Sequence, residues 1–572
     1  MPQEQMESAV IKGGLVVDGT GSPAYPADVR IADGRIVEVG PDLEPGADTV
    51  YDATGCYVTP GFIDTHTHYD ASLFWDPSCD PIVQHGVTTI LIGNCGLSLA
   101  PVRKDRVSDL VVLFSYIEDL PRDVFQAEVP WTWETYPEYA REMQKRDWGV
   151  NIASLVSHSL LRIYEIGDEA WKRSSAPEET SRIALAYAEA MKAGAFGVST
   201  SRFDRSPAGD LVPSFYSDAA EFEALFEESA KGRGIVQIIP DVGDIDQQEK
   251  DLREMGDYSA RHGGVPVISN GIYDRPDIPS YGPKLVEVGK DIQAKGGNFY
   301  YLASPRSIEL GINFRQCFNF IYVPAWNNLV QSDVPDEEKK RRLADPEWRA
   351  QARADWDAVK EGFPSGGLER LFRITEVGKP EYEKYLALTF DYVLDLRPGH
   401  PSDQLADWVL DNDLKAEFVY PFTNTDAAKV GELLGSQVSL ISGSDAGAHI
   451  SSFDGAGDAT LVLTRHVRDR GDLTLENAVK KLTKDQADLI GIKDRGEIRV
   501  GAFADIAVFD LAKLHWDPEK KVNDIPGGLS RFRRPAGGFR YTFINGVLAQ
   551  ENGELTGVLP ARFLTADDRI SA

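Results

Sequence analysis

The chain has 572 residues, 42% of them hydrophobic and 26% charged, which suits a globular protein whose large core is spread over two or three domains. Its formal net charge of −30 would repel a phosphate backbone and argues against nucleic acid as a partner. No apolar run approaches the roughly 18 residues that cross a bilayer. The opening MPQEQMESAVIKGG lacks a signal-peptide layout, and four scattered cysteines (Cys56, Cys79, Cys95, Cys317) form no CxxC pair. A cytoplasmic protein with no membrane partner is therefore expected.

Residues 9–58 read as short strands separated by turns, with Asp33-Gly34 as a hairpin signal. The middle, about 60–490, alternates apolar strand-like runs with helical stretches. The runs include VTTILIGN (87–94), GVNIASLVSH (149–158), AFGVST (195–200), GIVQIIPD (234–241), VPVISNG (265–271), NFYYLAS (298–304) and QVSLISGSD (437–445). Two clear amphipathic helices fall at 181–194 and 218–234. About eight strand candidates alternating with helices predict an α/β fold, with a (β/α)8 barrel preferred to an open sheet. Residues 306–390, aromatic-rich and then highly charged, break the alternation and read as an insertion or lid on a barrel loop. The segments 494–511 and 539–555 return to the pattern of the first sixty residues, with turns at Asn545-Gly546 and Asn552-Gly553. The expected domains are a composite β-sandwich from 1–59 and 491–572, and a barrel over 60–490.

The sharpest chemical signal is VTPGFIDTHTHYD, residues 58–70. His66 and His68 stand two apart after an apolar strand, so both imidazoles face one side, at the end where barrel enzymes place their chemistry. Two such imidazoles suit Zn²⁺ or a similar ion. An HxH pair also arises by chance; the preceding strand and Pro60-Gly61 favour the metal. The second signal is ISGSDAGAH, residues 441–449, where Asp445 ends an apolar strand. It can ligate a metal and take a proton from water, or cap the next helix.

These motifs, with GNCG (93–96), SHSLLR (157–162), GAFGVSTS (194–201), GSDAG (443–447) and DRGEIRVGAFADIAVFD (494–510), resemble the amidohydrolase superfamily and, within it, the N-acyl-D-amino-acid deacylase (D-aminoacylase) branch. The resemblance covers nearly all of the chain outside 306–390. It implies a (β/α)8 barrel with a small β-sandwich built from both ends. It also implies a divalent metal, most simply one zinc per chain, with His66, His68 and Asp445 matching the superfamily's ligands and Cys95 the branch's ligating cysteine. The chain departs from the branch where two further histidines are expected. On the fifth strand Ile238 stands at one place, and after the sixth Asn270 stands at the other. No lysine sits where superfamily members with two metals bridge them. The expected centre is thus one ion on His66, His68 and Asp445, with Cys95 as an optional extra ligand or a structural thiol.

The remaining candidates follow from position. His158 and His449 are candidates to polarise a substrate carbonyl or orient a ligand, and His158 also reads as a core histidine. Arg162 and Arg202 could anchor the acid of a product, with Asn270 at the substrate. His85 reads as a packing histidine and His400 as a turn before a helix, while His262, His466 and His515 receive no role. The expected reaction is hydrolysis of a small-molecule amide, that of an N-acyl amino acid first, with Asp445 as general base. The rivals are ring-opening of a cyclic amide and a barrel that binds without catalysis. Self-association is compatible with this architecture.

Overall fold

The computed structural model describes residues 8–276, 278–315, 317, 319–320, 322–330, 334–360, 364–396 and 398–570. The extreme ends of the expected terminal domain (1–7, 571–572) and parts of the expected insertion (316, 318, 321, 331–333, 361–363) lie outside them. The described chain divides into two compact units.

The larger unit runs over 1–272, 284–305 and 431–572 and holds two kinds of sheet. In one, strands from both ends of the sequence combine. Ala9–Val16 pairs with Tyr25–Ala32, Thr49–Asp52 and Tyr57–Pro60, and Tyr57–Pro60 pairs antiparallel with Ile506–Phe509, which leads on to Tyr541–Ile544 and Val547–Glu551. The alternation read from residues 9–58 holds only in places: Ile31 is buried between the partly exposed Arg30 and Ala32, whereas Ala9, Val10 and Ile11 are buried in succession.

The others are parallel. Phe62–Asp64, Val87–Ile92 and Asn151–Ser154 make a three-stranded sheet. Val156–Ser157, Gly197–Ser201, Ile235–Ile239, Val267–Ser269, Phe299–Ala303 and Ser439–Ile441 make a six-stranded one in sequence order. Only Leu155 separates the two along the chain, and its amide donates to Ile92 O at 2.9 Å. At the opposite margins, Thr67 bridges to Ala446 in parallel sense. The strand residues, apolar or small and polar, are buried on both faces, as parallel strands covered by helices must be. Ile63, Leu91, Ile235, Ile268, Leu302 and Leu440 share one core cluster. This is an α/β fold.

The second unit comprises 273–283 and 306–430. It contains a three-stranded antiparallel sheet, Ile308–Ile312, Glu417–Thr423 and Arg373–Glu376, around a core rich in aromatic side chains, including Phe320, Trp326, Phe372, Phe390 and Trp408. Of the aromatic residues early in the expected insertion, Phe314, Phe320 and Trp326 are buried in this core, while Tyr322 is exposed. His400 caps the helix Pro401–Asp411 through its Nδ1, as its place before Pro401 suggests.

Candidate metal centre

The candidate residues meet where the parallel strands end. His66 and His68 follow Phe62–Asp64, Cys95 follows Val87–Ile92, Asn270 follows Val267–Ser269, and Asp445 follows Ser439–Ile441, while Gln237 lies within Ile235–Ile239. This is the end at which α/β folds assemble sites. Ser442 ties the first strand to the last: its hydroxyl donates to Asp64 Oδ1 at 2.9 Å and accepts from Thr65 N at 3.0 Å. His68 N donates to Ala446 O at 2.8 Å. That approach needs Gly447, whose φ is +92° and where a Cβ would come within 2.8 Å of the His68 backbone. Cys95 and Asp445 both hold left-handed backbone, φ +60° and +52°. Such residues cost about 1–3 kcal/mol each and persist only when their surroundings dictate them.

Cys95 Sγ lies 3.3 Å from His66 Nε2 and 3.5 Å from His68 Nε2. A tetrahedral ion bonded at ~2.0–2.1 Å to nitrogen and ~2.3 Å to sulfur holds its ligand atoms about 3.4–3.6 Å apart, so these spacings are those of three corners around one ion. Burial, with His66 beside it, pushes the pKa of His68 down to about 3, which leaves a neutral ring with a lone pair to give. Burial and the carboxylates of Glu118, Asp445 and Asp204 push the Cys95 thiol up. Burial opposes any charge here, but the carboxylates' share of the penalty would favour a dication, and a bound dication would lower the thiol again. Two imidazoles and a sulfur suit zinc or a similar transition ion rather than calcium or magnesium.

Asp445 stands to one side of the three. Its Oδ1 is 3.0 Å from His66 Nε2, and its side chain is 25% exposed where His66 and His68 are 2% and 1%. Burial raises its pKa, but the hydrogen bond with His66 and the neighbouring histidines outweigh that and hold it below the usual carboxylate range. The expected grouping of His66, His68 and Asp445, with Cys95 optional, is not the tightest one among the described residues. The tight trio is His66, His68 and Cys95, because the loop after Val87–Ile92 carries the sulfur onto both imidazoles.

Other expectations also change. His158 is fully buried with both ring nitrogens engaged, Nδ1 with Thr200 Oγ1 at 2.9 Å and Nε2 with Glu221 Oε1 at 2.6 Å. Arg162 pairs with the other oxygen of Glu221 and donates to Arg173 O. These residues form a closed internal cluster and are not brought to the trio. Arg202 is held by Asp251 at 2.7 Å and Glu254 at 2.8 Å over the Phe222 ring, so neither arginine is left to anchor an acid. His449, at φ +50°, remains at the margin: its amide donates to Glu118 O at 2.6 Å and its Nε2 is 3.9 Å from Glu118 Oε2.

Asn270 is brought in, but onto sulfur: its Nδ2 donates to Cys95 Sγ at 3.2 Å. On the fifth strand the residue facing the site is Gln237 and not Ile238. Successive strand residues face opposite ways, and Gln237 meets both Cys95 and Asn270. Counting in twos from Ile235 would have found it. Glu118, 3% exposed with Oε1 3.5 Å from His68 Nδ1, was also missed. It ends the ordinary-looking helix Val107–Glu118, and nothing in its sequence surroundings marks it. Burial and the nearby carboxylates of Asp445, Asp204 and Asp70 push its pKa well up.

Comparison with known proteins agrees with this geometry. The amidohydrolase family model matches residues 49–276 and 387–549. The chain is 29% identical over 530 residues to an uncharacterized protein of Mycobacterium tuberculosis, covering 88% of this chain and 85% of that one. It is 24% identical over 567 residues to D-aminoacylase of Alcaligenes xylosoxydans xylosoxydans, covering 97% of each. Among solved structures, N-acyl-D-glutamate deacylase from Bordetella bronchiseptica, complexed with zinc and a phosphonate inhibitor, superposes with a TM-score of 0.65 at 21% identity, over 98% of this chain and 100% of that one. With a family model that spans most of its length and a cluster of two histidines and a cysteine at the strand ends, the chain belongs to the amidohydrolase family.

Proposed function

We propose that this protein is a metal-dependent hydrolase that cleaves the amide bond of an N-acyl amino acid. The observation that carries it is the convergence of His66, His68 and Cys95 on one point with Asp445 open beside them. Three protein ligands with a further position left open are the mark of catalytic rather than structural zinc sites. One zinc per chain is the loading we assign, held by His66, His68 and Cys95. The relatives named as deacylases, one complexed with zinc and a mimic of a tetrahedral intermediate, support an N-acyl substrate and attack by water at its carbonyl.

In this reading the eight parallel strands, with 151–157 counted as one, close into a barrel through the Thr67–Ala446 bridge. Residues 1–59 and 491–572 form the composite β domain, 60–490 the barrel and 306–390 an insertion in it. The bound ion supplies Lewis acidity, polarising the amide carbonyl and making water a better nucleophile at neutral pH. Asp445 takes the proton of the attacking water on its carboxylate and returns it to the leaving nitrogen. His449, at the margin of the site, faces the substrate. Glu118 stands beside Nδ1 of His68, 3.5 Å away.

The test is metal content by plasma mass spectrometry, on protein purified without added metal or chelator, beside a His66→Ala/His68→Ala double variant. Turnover of a panel of N-acyl D- and L-amino acids is measured on the same samples. About one transition ion per chain, absent from the variant, with turnover that follows the metal, is the expected result. A protein that takes up no metal after dialysis against zinc would overturn the proposal. Turnover of cyclic amides alone would move the reaction to ring-opening.

A further inference from the structure

A closed ring of three hydrogen bonds surrounds Cys95. Its backbone N–H donates to Gln237 Oε1 at 2.8 Å, Gln237 Nε2 donates to Asn270 Oδ1 at 2.5 Å, and Asn270 Nδ2 donates to Cys95 Sγ at 3.2 Å. The direction of this ring is forced. An amide N–H can only donate, so Gln237 must turn its oxygen to Cys95 and its NH2 to Asn270. Asn270 must then turn its oxygen to Gln237, which leaves only its NH2 for the sulfur. The sulfur is thereby an acceptor, and it faces His66 Nε2 and His68 Nε2 on its other side. Gln237 is fully buried and Cys95 only 7% exposed, which shields the link between them from solvent, while Asn270 is half-buried. The same ring grips the backbone of Cys95, which stands in the left-handed region.

We infer that Gln237 and Asn270 are positioning residues that aim the Cys95 sulfur at the histidine pair and limit the centre to a single ion. Each amide oxygen already accepts a hydrogen bond within the ring, and an amide oxygen suits magnesium, calcium or manganese rather than zinc, so neither residue offers a second transition ion the imidazole it prefers. This rests on the metal reading above. A hydrogen-bond donor on a ligand atom typically governs affinity by 10–100-fold, although it never touches the ion.

The experiment is titration of the full-length, metal-free protein with Co²⁺, in which a sulfur ligand shows as a charge-transfer absorption per bound ion. Wild type is compared with Gln237→Met and Asn270→Leu, near-isosteric changes that remove the ring's donors, and with Cys95→Ser. The expected result is one ion per chain with the sulfur band in wild type and no band in Cys95→Ser. Both ring variants should bind 10–100-fold more weakly, with a band reduced by half or more, while their metal-free forms stay folded, Gln237→Met melting below wild type because the buried Cys95 N–H loses its acceptor. Should Gln237→Met fail to fold, Asn270→Ser carries the same comparison, because it leaves the Cys95–Gln237 link in place. Ring variants with wild-type affinity and band would overturn the inference, as would two ions per chain in wild type. Cobalt bound without a sulfur band in wild type would remove Cys95 from the centre, and the inference with it, while the hydrolase could stand on the remaining ligands. No cobalt bound at all would sink the metal reading itself.

Discussion

Asp445 and His66 share a hydrogen bond at 3.0 Å, yet their burial differs, 25% against 2% of the side chain exposed. That difference separates two tasks. A buried imidazole can only hold an ion, whereas a carboxylate open to the cleft can meet a substrate. Asp445→Asn keeps the shape and the contact with His66 but removes the basicity. It should retain the metal, by plasma mass spectrometry, while turnover falls by ~10²–10⁴-fold, the usual worth of a general base. Loss of metal together with turnover would show that Asp445 is a ligand first. Glu221 shows how the same residue types can serve structure. Burial raises its pKa, but His158 and Arg162 outweigh that and hold it at about 2. Glu221→Gln leaves the Arg162 guanidinium buried without its counter-charge and should cost about 3–5 kcal/mol in denaturant unfolding at pH 7. Because the folded-state pKa is depressed, this stability is complete above the unfolded value near 4.5 and is lost as pH falls towards 2. The gap between wild type and variant should therefore narrow below pH 4.5, and a gap constant with pH would rule out the ionised pair as its source.

Strands and their ends were the legible elements. The apolar runs at 87–94, 234–241 and 298–304 each became a strand because burial on both faces leaves an unmistakable run of Val, Ile and Leu. HTH and SDAG read correctly as strand-end motifs, since the period of two decides which residues share a face. Gln237 shows the limit of that reading: the residue at the site lies one place before the one suggested by resemblance, and a shift of one in a strand reverses the face. His158 and Arg162 looked like site residues because they follow a strand end. The helix Ala219–Gly232 brings Glu221 onto both from about 60 residues further along, a pairing that no local pattern announces. The cysteine was undervalued for a similar reason. Its partners were sought on the fifth and sixth strands, while the two imidazoles that reach it come from the first.

For the molecule as a whole, the trio joins the loops after the first two parallel strands, and the Asp64–Ser442 bond joins the first to the last. An ion that binds these groups only when they are assembled must stabilise the fold by mass action, ~4 kcal/mol at a thousandfold excess over its dissociation constant. Stripping with chelator should therefore lower the melting temperature, and re-addition of zinc should restore it in wild type but not in His66→Ala/His68→Ala. A melting temperature indifferent to metal would mean that the ion, if bound, binds the unfolded chain as well. The sheet built from both ends of the chain bears on how the protein is made. Val58 finds its antiparallel partner in Val508, about 450 residues later. At the usual ~5–20 residues per second, the ribosome needs roughly 20–90 seconds to deliver that partner after the first strand has emerged. Throughout that interval the strand Tyr57–Pro60 carries an open, apolar edge out of the exit tunnel, immediately ahead of the histidines. The nascent chain thus exposes this edge beside its future metal ligands until Ile506–Phe509 has been made.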